Sequence, residues 1–122
     1  MSEFIIENAK IRSTMLGVED HGILTCFLNL DFGSSGQGFG GYGLDQWDES
    51  LKKRIGTAWG AEFIRRVLET LEVDEWEHLL GRPLRAEHSN GEVRAIGHFI
   101  KDKWFRPKVD LAFLLDTKAK GG

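Results

Sequence analysis

Near the carboxyl end, Lys101–Asp102–Lys103–Trp104–Phe105–Arg106–Pro107 sets two aromatic rings among three cations. Aromatic faces stack on flat rings such as nucleobases, and Arg or Lys hydrogen-bonds phosphate. Arg82, Arg85 and Arg94 precede this stretch on a segment that reads as its neighbour, so they extend the basic patch. The chemistry this suggests is capture of a small anionic, nucleotide-like ligand. Trp104 or Phe105 would stack, while Arg94, Lys103 and Arg106 would hold phosphate. The plainer alternative is that both rings close the end of a sheet and the lysines are merely solvated.

A second candidate is the glycine-rich run Gly33–Gly43, which carries Phe39 and Tyr42. Backbone N–H groups in such a segment cradle anions, and Gly38, Gly40 and Gly41 would let a ligand come close. The match to phosphate loops is poor. No Walker-type Lys-Ser/Thr pair follows, no strand–GxGxxG–helix order exists, and Asp45, Asp48 and Glu49 would repel an anion. A glycine-rich strand against which another element packs explains the run equally.

Glu19–Asp20–His21 invites a metal or acid–base reading, with His88 or His98 as a distant partner. Successive strand residues point to opposite faces, so the three converge only if a turn folds them inward. No HxxxH or HExxH spacing supports them, and neither a metal nor a cofactor is expected. Cys26 sits mid-strand on an apolar face, where a thiol behaves as a small hydrophobe rather than a nucleophile. Trp47, Trp59 and Trp76 fall near expected helix starts. There they serve as anchors or, if exposed together, as an oligomer interface.

The elements that must position these residues fit one domain of 122 residues, long enough for a real core. Ordinary apolar and charge content excludes a disordered chain, and a single cysteine excludes a disulfide framework. No apolar run reaches the roughly 18–20 residues of a membrane span, and Met1–Lys10 lacks a signal-peptide pattern. A cytoplasmic protein is the expectation. Net charge is −3, carried by residues 1–60, whereas residues 61–122 balance. That argues against duplex nucleic acid as a partner, because duplex binding needs a strong positive field.

Glu3–Ser13 reads as a strand with a bulge or bend near Asn8–Ala9. Gly22–Phe32 reads as the clearest strand, with Leu24, Cys26, Leu28, Leu30 and Phe32 on one face at period two. Gln37–Leu44 is a glycine-weakened strand, and Asp45–Gly56 is polar with room for a turn of helix. Over Ala58–Val73, Phe63, Ile64, Val67, Leu68 and Leu71 make one helical stripe, and Thr57 is a natural N-cap. Asp74 and Glu77 have capping-box spacing for a second short helix ending at Gly81. Arg82–His88 and Glu92–Ile100 form a hairpin across Asn90–Gly91. Lys108–Asp116 suggests a terminal helix. The fold expected is α+β: a mostly antiparallel sheet of about five strands packed on one long central helix, with short additional helices. The domain should span residues 1–117, with 118–122 a flexible tail.

Three stretches, Asn8–Thr14, Leu16–Thr25 and Gln37–Tyr42, resemble small accessory proteins carried by tailed phages and prophages. Ala95–Ile96–Gly97–His98 and Lys103–Trp104–Phe105 fit the same resemblance. It implies expression in a bacterial host cytoplasm and a counter-defence role, but brings no established activity and no catalytic residues. The leading reading is therefore a non-catalytic binder of a nucleotide-like anion, with a homo-oligomer among the expectations. The alternative is an inhibitor of a host defence protein such as a CRISPR effector, with the acidic first half meeting a basic channel. A small metal-assisted hydrolase using Asp20, His21 and His98 stands third.

Overall fold

The structure is a computed structural model and describes residues 3–114. The first long strand, β1 (Ile5–Val18), is followed by β2 (Leu24–Asp31) and β3 (Gly36–Gly43). A small hairpin, β4 (Asp45–Asp48) and β5 (Lys53–Gly56), leads into helix α1 (Ala58–Leu71). A 3-10 turn at Trp76–His78 precedes β6 (Pro83–Ser89), β7 (Glu92–Gly97), β8 (Trp104–Phe105) and the short helix α2 (Pro107–Asp110). Six strands form one antiparallel sheet in the order β3-β2-β1-β6-β7-β8.

Three register shifts coil this sheet. Between β1 and β2 the pairing skips Arg12; between β2 and β3 it skips Gly41; between β6 and β7 it skips Arg94. Each extra residue bends its strand and increases the local twist. The sheet curls into a half-barrel, and its two edge strands approach across the core. Phe39 of β3 lies 6.4 Å from Phe105 of β8, centroid to centroid. Phe63 of α1 wedges between them, 5.8 Å from Phe39 and 5.5 Å from Phe105. Ile11, Leu28, Leu30, Leu84, Ala86 and Ile96 line the concave side and are fully buried.

These observations correct the expected α+β arrangement of about five strands on one long central helix with short additional helices. The chain is mostly sheet, and among the described residues only α1 is a helix of any length. That helix occupies the expected position in the chain and begins at the Thr57 cap, whose side chain accepts a hydrogen bond from Gly60 N. It does not lie across the sheet as a layer. It inserts Phe63, Val67 and Leu71 at the opening between the sheet edges. The physical reason is the coiling: a half-barrel closes much of its own core and leaves only a slot to fill.

Local corrections follow the same logic. The polar stretch 45–56 is a hairpin, turned by Lys52 at φ 55°, and not helical. The Asp74–Glu77 pair builds no capping box; the element is a 3-10 turn without a side-chain cap. The bulge in β1 falls at Arg12 rather than near Asn8–Ala9. The Asn90–Gly91 turn has both residues at positive φ, as that dipeptide favours. The terminal helix begins at Pro107, and the expected part beyond residue 114, with the tail 118–122, lies outside the described residues.

Candidate anion-binding site

The β6–β7 bulge is where sequence becomes site geometry. Arg94 is the extra residue, between buried Val93 and Ala95, and it lies opposite the Glu87–His88 step. Glu87 Oε1 accepts a hydrogen bond from Arg94 Nε at 3.0 Å and from Arg106 Nε at 3.1 Å. Glu87 is only 8% exposed, so a nearly enclosed carboxylate holds two guanidinium groups side by side. The Arg94 hydrogen bond, outweighing desolvation and joined by Arg106, holds the Glu87 carboxyl below the usual carboxylate range. The same pairing raises the Arg94 guanidinium.

A guanidinium carries five donors, and Nε is one of them. Among the described residues, no hydrogen bond occupies the Nη groups of Arg94 or Arg106. Both arginines line a recess of about 500 Å³ together with Phe4, Glu92, Lys108 and Val109. Arg94 Cζ lies 3.8 Å over the Phe4 ring, a cation–π contact that fixes the guanidinium plane. Lys108 reaches the recess from the first turn of α2, 4.0 Å from Glu92 on the rim. Three cations therefore face two carboxylates, one of which is already engaged from behind.

The sequence candidates divide. Arg94 and Arg106 are brought together. Lys103 is not with them: its Nζ donates to Glu72 Oε2 at 2.9 Å, alongside Lys101. That pair of lysines holds the Glu72 carboxyl down at about 2. Phe105 is 1% exposed and packed on Phe39 and Phe63, so it offers no face to a ligand. Trp104 is half-buried, with Arg85 Cζ 4.9 Å and Arg106 Cζ 5.6 Å from its ring. Arg85 is spent on the backbone, donating to the carbonyls of His98 and Lys101. Gly38, Gly40 and Gly41 do not line the recess. A Cβ on Gly40 would stand 2.7 Å from Cys26 O, so that glycine serves the close approach of β3 to β2.

Phe4 and Glu87 were not among the sequence candidates, and Lys108 stood out only as the last member of the basic cluster Lys101, Lys103, Arg106 and Lys108. The i,i+7 separation of Glu87 and Arg94 across an Asn-Gly hairpin was the one available signal, since such residues end nearly opposite. The other candidates do not line this recess. Cys26 is fully buried, and burial pushes its thiol up to about 12. Glu19, Asp20 and His21 do converge at a turn, with ligand atoms within 4.8 Å of one another. Glu19 is occupied there, accepting from the backbone of His21 and Ile23. His98 is engaged elsewhere: its Nδ1 accepts the N–H groups of Ile100 and Lys101, and its Nε2 lies 3.5 Å from Glu72.

No family model, curated protein or solved structure matches the chain. No described helix is long and apolar enough to cross a membrane.

Proposed function

We propose that the protein is a non-catalytic binder of a small anionic, nucleotide-like ligand. With the phage resemblance, this makes it a counter-defence protein of the bacterial host cytoplasm that sequesters such a ligand. The observation that carries the reading is the pair Arg94 and Arg106, fixed through Nε on Glu87 and lining one recess with Lys108. Anchored guanidiniums lose little freedom when they bind, and their Nη donors suit bidentate contact with a phosphate. Among the described residues, the recess lining is two arginines, a lysine, a glutamate, a phenylalanine and a valine, a donor-rich set suited to holding an anion.

Titration calorimetry with inorganic phosphate, pyrophosphate and nucleoside phosphates tests it. Heat with at least one of these, lost in Arg94→Ala and Arg106→Ala proteins that keep their melting temperature within a few degrees, is expected. Silence with all of them, or binding unchanged by both substitutions, overturns it. A stoichiometric host protein captured from lysate, together with that silence, would favour the inhibitor reading instead.

A further inference from the structure

Beside the anion recess lies a second one of about 520 Å³, lined by Tyr42, Gly43, Trp59 and Lys108. Lys108 is common to both. Glu92 links them as well: after burial, its charge is what pushes the Tyr42 hydroxyl upward. The two recesses are neighbours across one lysine whose side chain is 72% exposed.

The aromatic recess is assembled by tertiary structure. Thr57 donates from N and Oγ1 to the carbonyl of Leu44, each at 3.1 Å, which docks the start of α1 at the end of β3. Gly60 permits the approach, because a Cβ there would collide with the Leu44 carbonyl. Docking places Trp59 against Tyr42 with ring centroids 5.4 Å apart and planes at 66°. Two rings near a right angle form a corner that offers a face and an edge to a third flat ring. Gly43 adjoins the corner. Its φ is not positive, and a Cβ there would meet nothing closer than 3.5 Å. That Cβ would point toward Ile23 and the Asp45 carbonyl, on the strand face opposite Tyr42, so the walls of the corner are the Tyr42 and Trp59 rings themselves.

We infer that the Tyr42–Trp59 corner is a ring-binding subsite, so the ligand is a nucleoside phosphate with its base there and its phosphate against Arg94, Arg106 and Lys108. This rests on the proposed anion site and assigns the stacking role to Tyr42 and Trp59 in place of Trp104 and Phe105. A mostly apolar pocket with a few convergent polar groups is the usual form of such sites.

Adenosine monophosphate, guanosine monophosphate and inorganic phosphate are the probes. A nucleotide should bind at least tenfold more tightly than phosphate and change the tryptophan emission. Trp59→Phe should abolish that emission change. Tyr42→Leu, which keeps apolar bulk against Phe63 and removes the ring facing Trp59, should cost the nucleotide at least tenfold and leave phosphate affinity unchanged. Phosphate binding without any nucleotide advantage overturns the ring subsite alone. Nucleotide affinity unchanged in Tyr42→Leu, or an emission change that persists in Trp59→Phe, also overturns it. Silence with both probe types overturns the anion site and this inference together.

Discussion

Gly97 lies directly under the indole of Trp104: a Cβ at 97 would stand 2.7 Å from Cδ2 and Cε3 of that ring. The two residues are paired across β7 and β8, so the smallest residue of one strand seats the largest of the next. The contact sets how the last strand closes the half-barrel edge, and it holds Trp104 beside Arg85 and Arg106.

Gly97→Ala should therefore displace the indole. Because the obstacle is a half-buried side chain, the cost should be about 1–3 kcal/mol, typical of overpacking. Gly60→Ala should cost more, because its Cβ meets the backbone of Leu44, which cannot rotate away. Thermal or urea unfolding of the two variants checks the order. A Gly60→Ala protein as stable as Gly97→Ala would show that the α1 docking is looser than described.

Acid should weaken the fold through Glu72. This residue ends α1 in the left-handed conformation and gathers Lys101, Lys103 and His98 from the loop before β8. The Lys101 and Lys103 hydrogen bonds, against some desolvation, lower its carboxyl from the ordinary 4.5 to about 2. A depressed folded value stabilises the native state fully above the ordinary value. That contribution is lost as pH falls from 4.5 through about 2. Melting temperatures of wild type and Glu72→Gln should differ at pH 6 and converge towards pH 2. A constant gap across that range would remove the assignment.

Much of the local structure was legible because its cause is local. The stripe from Phe63 to Leu71, the Thr57 cap and the positive-φ Asn90–Gly91 turn each depend on residues within one or two turns of chain. The burial of Cys26 followed from period two in β2. What stayed hidden depends on distant partners. Lys103 looks free until Glu72, 31 residues earlier, arrives beside it. Trp104 and Phe105 look equivalent until the strand direction sends one to the rim and the other into the core. Arg94 reads as a phosphate donor on a regular strand, and the register skip that makes it the bulge residue opposite Glu87 has no signature in its neighbours. The β4–β5 hairpin was hidden because Lys52, not glycine, takes the positive φ.

Trp59→Phe should be mild. The indole stacks on Phe63 at 5.6 Å, a contact phenylalanine can keep in part. Its Nε1–H is buried without an acceptor among the described residues. A buried donor left unsatisfied costs about 1–3 kcal/mol, which the substitution relieves, offsetting the lost area. The expected change in unfolding free energy is within about 1 kcal/mol, against about 3–5 for a truncation to alanine. A loss of the larger size on denaturant titration would mean the indole N–H is satisfied in solution.

Glu92 offers the last check, since it is the carboxylate on the rim of the anion recess that no arginine occupies. Its side chain is 60% exposed and 4.0 Å from Lys108, so it competes weakly with any bound anion for that ammonium. Glu92→Gln removes the repulsion and keeps the shape. Phosphate affinity should rise about two- to fivefold at low salt, the scale of one exposed charge pair. The gain should fade as ionic strength shortens the screening length. The Tyr42 hydroxyl, which Glu92 pushes upward, should in the same variant titrate at lower pH than in wild type. Salt-dependent calorimetry and an absorbance titration of the single tyrosine measure both effects on one protein. Weaker phosphate binding in Glu92→Gln would mean that Glu92 orders Lys108 for the ligand rather than opposing it.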